Sequence, residues 1–471
     1  DETRTPTQLI LVALHAVPAF LARHSPLSIV TSFHLFLFVL LGACALQNWR
    51  VLGETPRLGD APARSAIVAV ALASLFLLPF AWANDFGQRE QMFCALVTPY
   101  FLLCARHLLG AAPPHRLDAA ATGVLAAIGF AIKPHFFVLL AACELTLLVR
   151  KRDVRIFRRP EIVAAFGFFA LYGAFWAASY PEVFPLIGRF AFAYSAFDAD
   201  PAQRFGLFFG PACVALVFAG MLLLPSTRRD AAYRSVLALG TAAIAASAAI
   251  FWLQSGFTYH LLPLVYFEVL GVALLLSLRG AQRMLIAVAI LLGVLIANDF
   301  RGALPRQLED RRHVRKLTEL VESRISGQRV LVLSTGMFPW YSVIAHAESR
   351  STGSLWFLTY LNAAYAGQLD ASREPRYHTP ERMSDDERFF HEALMRDFSS
   401  ATPDVVVVST GPFPPGMRGM RFDILRHFGK DPRFTASWRE FRPFLEAADF
   451  AFYERVGGGS APVPERRAGR P

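Results

Sequence analysis

The chain has 471 residues, 54% hydrophobic and 18% charged, with a mean hydropathy of +0.38, whereas a soluble globular chain carries about 25% charged residues; an ordinary soluble enzyme is excluded. Its 42 Phe exclude disorder, and its five Cys, all in apolar runs without a Cys-x-x-Cys, give no pattern for a disulfide scaffold or a zinc site. The net charge of +10 divides at Asn298 into +7 before and +3 after, with the excess in short loops between apolar runs, so it points to a membrane and not to nucleic acid.

The chain opens on a polar DETRTPT and then an apolar stretch at 8–22. That stretch is short and holds Pro18, and is read as interfacial or re-entrant. Apolar stretches approaching the roughly 20 residues of a spanning helix follow at 28–47, 65–83, 92–105, 118–132, 136–149, 162–179, 205–224, 235–253, 261–278 and 285–298. The shortest of these must borrow flanking residues or tilt. The expected fold class is therefore an α-helical polytopic membrane bundle of about ten spans over 1–298, followed by an extracytoplasmic α/β domain.

The loops orient the bundle. Loops 50–64, 106–117, 150–161, 225–234 and 279–283 carry 16 Lys or Arg, and the alternate loops 84–91, 133–135, 180–204 and 254–260 carry 4. The first set is expected to be cytoplasmic, with RKRDVRIFRRP at 150–160 its strongest anchor. The second set and everything after 298 then face outside. A first span running inward places Asp1 outside with nothing to deliver it there, so a further segment with at least one spanning helix is expected upstream of Asp1. In the alternative, 8–22 is the first span and the N-terminus is inside.

From Asp299 the composition becomes that of a globular domain, expected over 299–456. Helical periodicity covers 308–325, RVLVLST at 329–335 reads as a buried strand, and 384–399 reads as a helix with Ser384 as N-cap and Glu387 completing a capping box. TPDVVVVST at 402–410 is a second apolar strand and FAFYERV at 450–456 a third, which implies a partly parallel sheet. No GxGxxG follows a strand. The last 15 residues, 457–471, read as a disordered tail.

Four outer loops gather candidate chemistry. In NDFGQREQ at 84–91, Asp85 and Glu90 flank Arg89 and offer a carboxylate base, a metal ligand or a phosphate clamp, or else a solvated turn. In IKPH at 132–135, Lys133 and His135 suit an anionic ligand, or are a snorkelling Lys and an interfacial His. QSGFTYH at 254–260 adds Tyr259 and His260 as donors, or is a polar turn with a belt aromatic. The long loop 180–204 holds Arg189, Arg204 and a formal DxD at Asp198 and Asp200, which also fits a helix-capping acid before Pro201. Glu144 and Glu268 are unusual carboxylates inside apolar helices, able to pair within the bundle and given no role.

The order DFGQREQ, then KPHFF, then QSGFTYHLLP, then a tail with RVLVLST and PDVVVVST resembles bacterial integral-membrane glycosyltransferases of the GT-C fold, the group of protein mannosyltransferases, aminoarabinose transferases and Rgt-type lipopolysaccharide glycosyltransferases. The resemblance implies a bacterial inner-membrane enzyme that takes a sugar from a polyprenyl-phosphate donor to an extracytoplasmic lipid or glycan acceptor of the envelope. It implies catalytic acids at Asp85 and Glu90, and a lipid phosphate held by Arg89, Lys133, His135, Tyr259 and His260. A divalent metal is an optional cofactor. The family's first spanning helix and first-loop acid have no counterpart here, in keeping with the expected upstream segment, and Gln91 stands where relatives tend to carry His. The alternatives left open are a transporter or envelope-complex scaffold, and a lipid-linked glycan ligase or polymerase.

Overall fold

A computed structural model describes residues 9–81, 87–179, 201–224, 230–254 and 258–280, pieces of 181–193 and, with short gaps, 308–456. It is mostly helical with a small sheet near the C-terminus. Two compact units form: a larger one from Thr7–Pro181 and Ala199–Gln307, and a smaller one from Glu182–Asp198 and Leu308–Pro471, with Asp1–Pro6.

The larger unit holds α1 (Leu9–His24), α2 (Ile29–Leu52), α3 (Ala61–Ala81), α4 (Arg89–Leu108), α5 (Arg116–Ala131), α6 (Phe137–Lys151), α7 (Pro160–Ser179), α8 (Pro201–Leu223), α9 (Ala231–Trp252) and α10 (Leu262–Ser277). Nine of the ten apolar stretches expected to span coincide with α2–α10, and the tenth, 285–298, lies outside the described residues. The stretch at 8–22 is a helix that runs through Pro18. Six of the described helices are long and apolar enough to cross a membrane: Ile29–Leu52, Ala61–Pro79, Pro160–Ser179, Arg204–Leu223, Ala231–Trp252 and Tyr259–Ser277. The chain is thus a membrane-associated helical protein.

Helix α4 is buried all round, with an apolar middle and polar residues at both ends, as a helix surrounded by others is. It packs on α2, α3, α5, α6, α9 and α10 and buries every residue except Arg89 and His107. By contrast α7 and α8 expose large apolar side chains such as Phe166, Leu171, Phe209 and Leu216, the surface expected of helices bathed in lipid. One close approach depends on a missing side chain: a Cβ on Gly123 of α5 would lie 2.0 Å from the carbonyl oxygen of Glu161 in α7.

In the smaller unit, a helix over 308–325 (α11) leads into β1 (Arg329–Leu333). Then come α12 (Trp340–His346), β2 (Arg350–Ser351), α13 (Thr359–Ala364), α14 (Asp385–Ser400), β3 (Val405–Ser409), α15 (Ile424–Phe428), α16 (Pro432–Trp438), β4 (Phe441–Ala447) and β5 (Phe450–Arg455). The strand order is β2-β1-β3-β5-β4, parallel from β2 through β3 and antiparallel where β5 joins β3 and β4. Alternate residues feed two cores: Leu331, Leu333, Val406 and Val408 one, and Val330, Val332, Val405 and Val407 the other. This period-two burial on both faces explains the unbroken apolar runs.

The three expected strands are present, and β2 and β4 are added. Strand β4 lies at a sheet edge and carries Pro443 beside a register shift, the position at which a proline is tolerated. The smaller unit also recruits chain that a division at 298 assigns to the membrane half. Phe190 and Ala193 are buried in its core, with Phe190 edge-on to Phe390 at 5.2 Å and the Arg189 guanidinium over Phe389 at 4.6 Å.

Candidate functional site

Three of the four loops singled out in the sequence meet at one end of the helical bundle, the end made by the C-termini of α5 and α9 and the N-termini of α4, α6 and α10. The turn between α5 and α6 sets the centre. Lys133 is extended, the conformation favoured before proline, and a short 3-10 turn, Pro134–Phe136, follows it. Phe136 is buried and stacked on Phe93 of α4 at 3.8 Å, which fixes the turn against the central helix.

From there Lys133 Nζ donates to Glu90 Oε1 and, at 2.7 Å, to Gln254 Oε1. Glu90 is fully buried, and its second oxygen, Oε2, has no hydrogen-bond partner among the described residues. His260 Nε2 lies 3.9 Å from Glu90 Oε1. The ammonium sits 5.7 Å from the rings of both Phe136 and Tyr259, and Tyr259 packs edge-on to His260 at 4.3 Å. His135 interacts with Gln254. Arg89, exposed at the start of α4, is close enough for its charge to act on Lys133 and His260.

The glycine and glutamines around this cluster hold it in place. Gly87 has a φ of +89°, and a Cβ there would lie 2.6 Å from Phe33 Cε1, so only glycine fits. Its N–H donates to Gln91 Oε1 at 2.5 Å, while Gln91 Nε2 donates to Leu75 O at 2.7 Å. Gln91 therefore pins α3 to the start of α4. Gln254 bonds Lys133 with one end and Ile250 O with the other. Both glutamines stand in the motifs that the sequence singles out, but a neutral amide carries no charge signal to separate a partner from a turn residue.

Of the seven expected site residues, Glu90, Lys133, His135, Tyr259 and His260 come together, and Arg89 lies at their edge. Asp85 lies outside the described residues, as do Asp198 and Asp200. Arg189 belongs to the smaller unit, where its Nη1 reaches Asp385 O at 3.2 Å. Arg204 donates to Trp252 O at 3.4 Å and lies over that ring. Among the described residues no three of His, Cys, Asp and Glu are placed to hold a metal ion.

The opposite end of the bundle has a different chemistry. Glu144 accepts from Tyr100 Oη and from Arg159 Nη2, the latter at 2.5 and 2.6 Å. Arg159 also pairs with Glu161 at 3.2 Å, and Glu161 with His107 at 2.7 Å. Arg57 bonds Asp230 at 2.6 Å, just where Asp230 caps α9. These pairs staple the basic loops to the helix ends. Glu268, buried in α10, keeps Oε1 without a partner among the described residues. Searched against protein-family models, curated proteins and solved structures, the chain matches none.

Proposed function

We propose that the chain is a GT-C-type membrane glycosyltransferase that moves a sugar from a polyprenyl-phosphate donor to an envelope glycan or lipid on the extracytoplasmic side. The observation that supports this reading best is the convergence of Glu90, Lys133, Gln254, Tyr259 and His260 from three separate loops on one end of the bundle. A structural ion pair needs two residues. This cluster adds an amide, an imidazole, a phenol ring and a carboxylate oxygen without a partner among the described residues.

In this reading the transfer is a single displacement with inversion. The acceptor oxygen attacks the anomeric carbon as the bond from that carbon to the phosphate oxygen breaks. The electron pair leaves with the polyprenyl phosphate, and the acceptor proton passes to a carboxylate. Asp85 or Glu90 takes that proton, the task of a positioned carboxylate. Lys133, with Arg89, His135 and His260 around it, faces the charge that builds on the leaving phosphate, where cations in a water-poor site act most strongly.

The test is sugar transfer by the full-length protein in membranes supplied with polyprenyl-phosphate sugars, read as mass added to envelope acceptors. Asp85→Asn or Glu90→Gln should lower transfer by about 10²–10⁴-fold, the worth of general-base catalysis. Wild-type transfer in both variants, or no transfer by the parent protein from any such donor, would overturn the reading.

A further inference from the structure

The smaller unit holds a cavity lined by its own residues alone. Its sheet reverses direction of growth at β1: the chain passes from β1 to β2 on one side and then returns to β3 on the other. In open parallel sheets, ligands bind beyond the carboxyl ends of the strands at such a switch point. Strand β1 ends at Leu333 and is followed by Ser334 and Thr335, both buried; Thr335 Oγ1 has no hydrogen-bond partner among the described residues, and neither residue lines the cavity beyond β3. The carboxyl end of β3 borders a cavity of about 280 Å³ whose lining includes Val408, Ser409, Thr410 and Gly411.

The rest of that lining is chemically mixed. Arg421 and Arg426 supply guanidinium groups, Asp423 a carboxylate, and Tyr377 and Phe422 aromatic surface. The parts are held locally: Tyr377 Oη accepts from Asp423 N at 2.8 Å, Asp423 Oδ1 accepts from Arg426 N at 2.9 Å, and the Arg426 guanidinium lies 5.5 Å from the Tyr377 ring. Arg421 is exposed and makes no ion pair among the described residues.

We infer that this cavity binds a small anionic saccharide, one ring bearing a carboxylate or a phosphate. Two arginines with one carboxylate suit a ligand that is both acid and hydrogen-bond donor. A bare phosphate gains the arginines but leaves the aromatic surface and the Asp423 acceptor unmatched, and a neutral sugar leaves the arginines unmatched. The hydroxyls of Ser409 and Thr410 and the aromatic surface add the polar and apolar contacts that a sugar ring offers. The volume falls just below the roughly 300–1,000 Å³ of pockets for larger ligands, which suits one ring and not a dinucleotide.

Calorimetric titration of the full-length protein in detergent tests this with four probes: glucuronate, glucose 6-phosphate, glucose and inorganic phosphate. At least one charged sugar should bind at least tenfold more tightly than glucose and than phosphate, and which one distinguishes a uronic acid from a sugar phosphate. Arg421→Gln should weaken that binding at least tenfold, with partial recovery in Arg421→Lys. Binding should be unchanged in Glu90→Gln/Lys133→Met, which alters only the membrane cluster. The proposal is overturned if neither charged sugar binds, if glucose or phosphate binds as well, if Arg421→Gln has no effect, or if the membrane variant abolishes binding.

Discussion

A buried ammonium is tolerated only where its charge is matched, and Lys133 shows what that requires of its neighbours. Taking one partner from a buried pair leaves an uncompensated charge and costs about 3–5 kcal/mol, while replacing both with groups of similar shape is often close to neutral. Lys133→Met alone should therefore destabilise the bundle by about that amount through the stranded Glu90, and Glu90→Gln/Lys133→Met should recover most of it. Thermal unfolding in detergent of the single and double variants checks this. His427 makes a different demand. Burial, with His391 and His378 nearby, holds its imidazole well below the ordinary histidine range. Folded His427 stays neutral where the unfolded chain binds a proton, so stability is intact above about pH 6.5 and falls by about 1.4 kcal/mol per pH unit below it. His427→Gln should flatten that slope in the smaller unit, whatever it does to the absolute stability. An unchanged slope would place the acid sensitivity elsewhere. Asp431 shows how such groups interlock. Burial raises its carboxyl, but bonds from Arg433 and His391 outweigh this and bring it down to about 2.

At the scale of elements, apolar runs and caps were legible and side-chain partners were not. The three β-branched or aromatic strands stand out because both faces of the sheet are buried. The two-residue β2 and the proline-bearing edge strand β4 lack that signal. Ser384 does cap α14, accepting from Glu387 N at 3.1 Å. The reciprocal half of the capping box is missing, because the Glu387 carboxylate instead binds His378 Nδ1 at 2.8 and 3.0 Å. Glu144 pairs within the bundle as its sequence context allows, whereas Glu268 keeps an oxygen without a partner among the described residues. Least legible was the segment around 186–193, since nothing in a loop's own sequence says which core its phenylalanine will enter. Phe190 is 7% exposed, so Phe190→Ala should destabilise the smaller unit by about 3–5 kcal/mol. Hydrogen exchange of the β1 and β3 amides measures this directly. Unchanged protection would mean that Phe190 rests on that core without contributing to it.

For the molecule as a whole, the two ends of the helical bundle are chemically distinct. One gathers Arg57 and Arg159 on the carboxylates of Asp230, Glu144 and Glu161, and Arg106 and Arg150 on backbone carbonyls of the loops and helix ends. The other concentrates a lysine, two histidines and an amide around the Glu90 carboxylate. The count of basic residues in alternate loops separates these ends from sequence alone, because alternating helices must return each loop to its own side. What that count leaves open is which residues of the sparsely basic loops touch, and the contacts of Lys133 supply the answer for three of them. The candidate site therefore rests on a packing fact, that the Lys133 turn is fixed by Phe136 against Phe93, as much as on its charged groups. The most direct measurement is binding of undecaprenyl phosphate to the purified full-length protein, compared with Glu90→Gln/Lys133→Met, whose bundle should stay folded. The account predicts binding by the parent protein and at least a tenfold loss in the variant. Equal binding by both, or none by the parent protein, would contradict it.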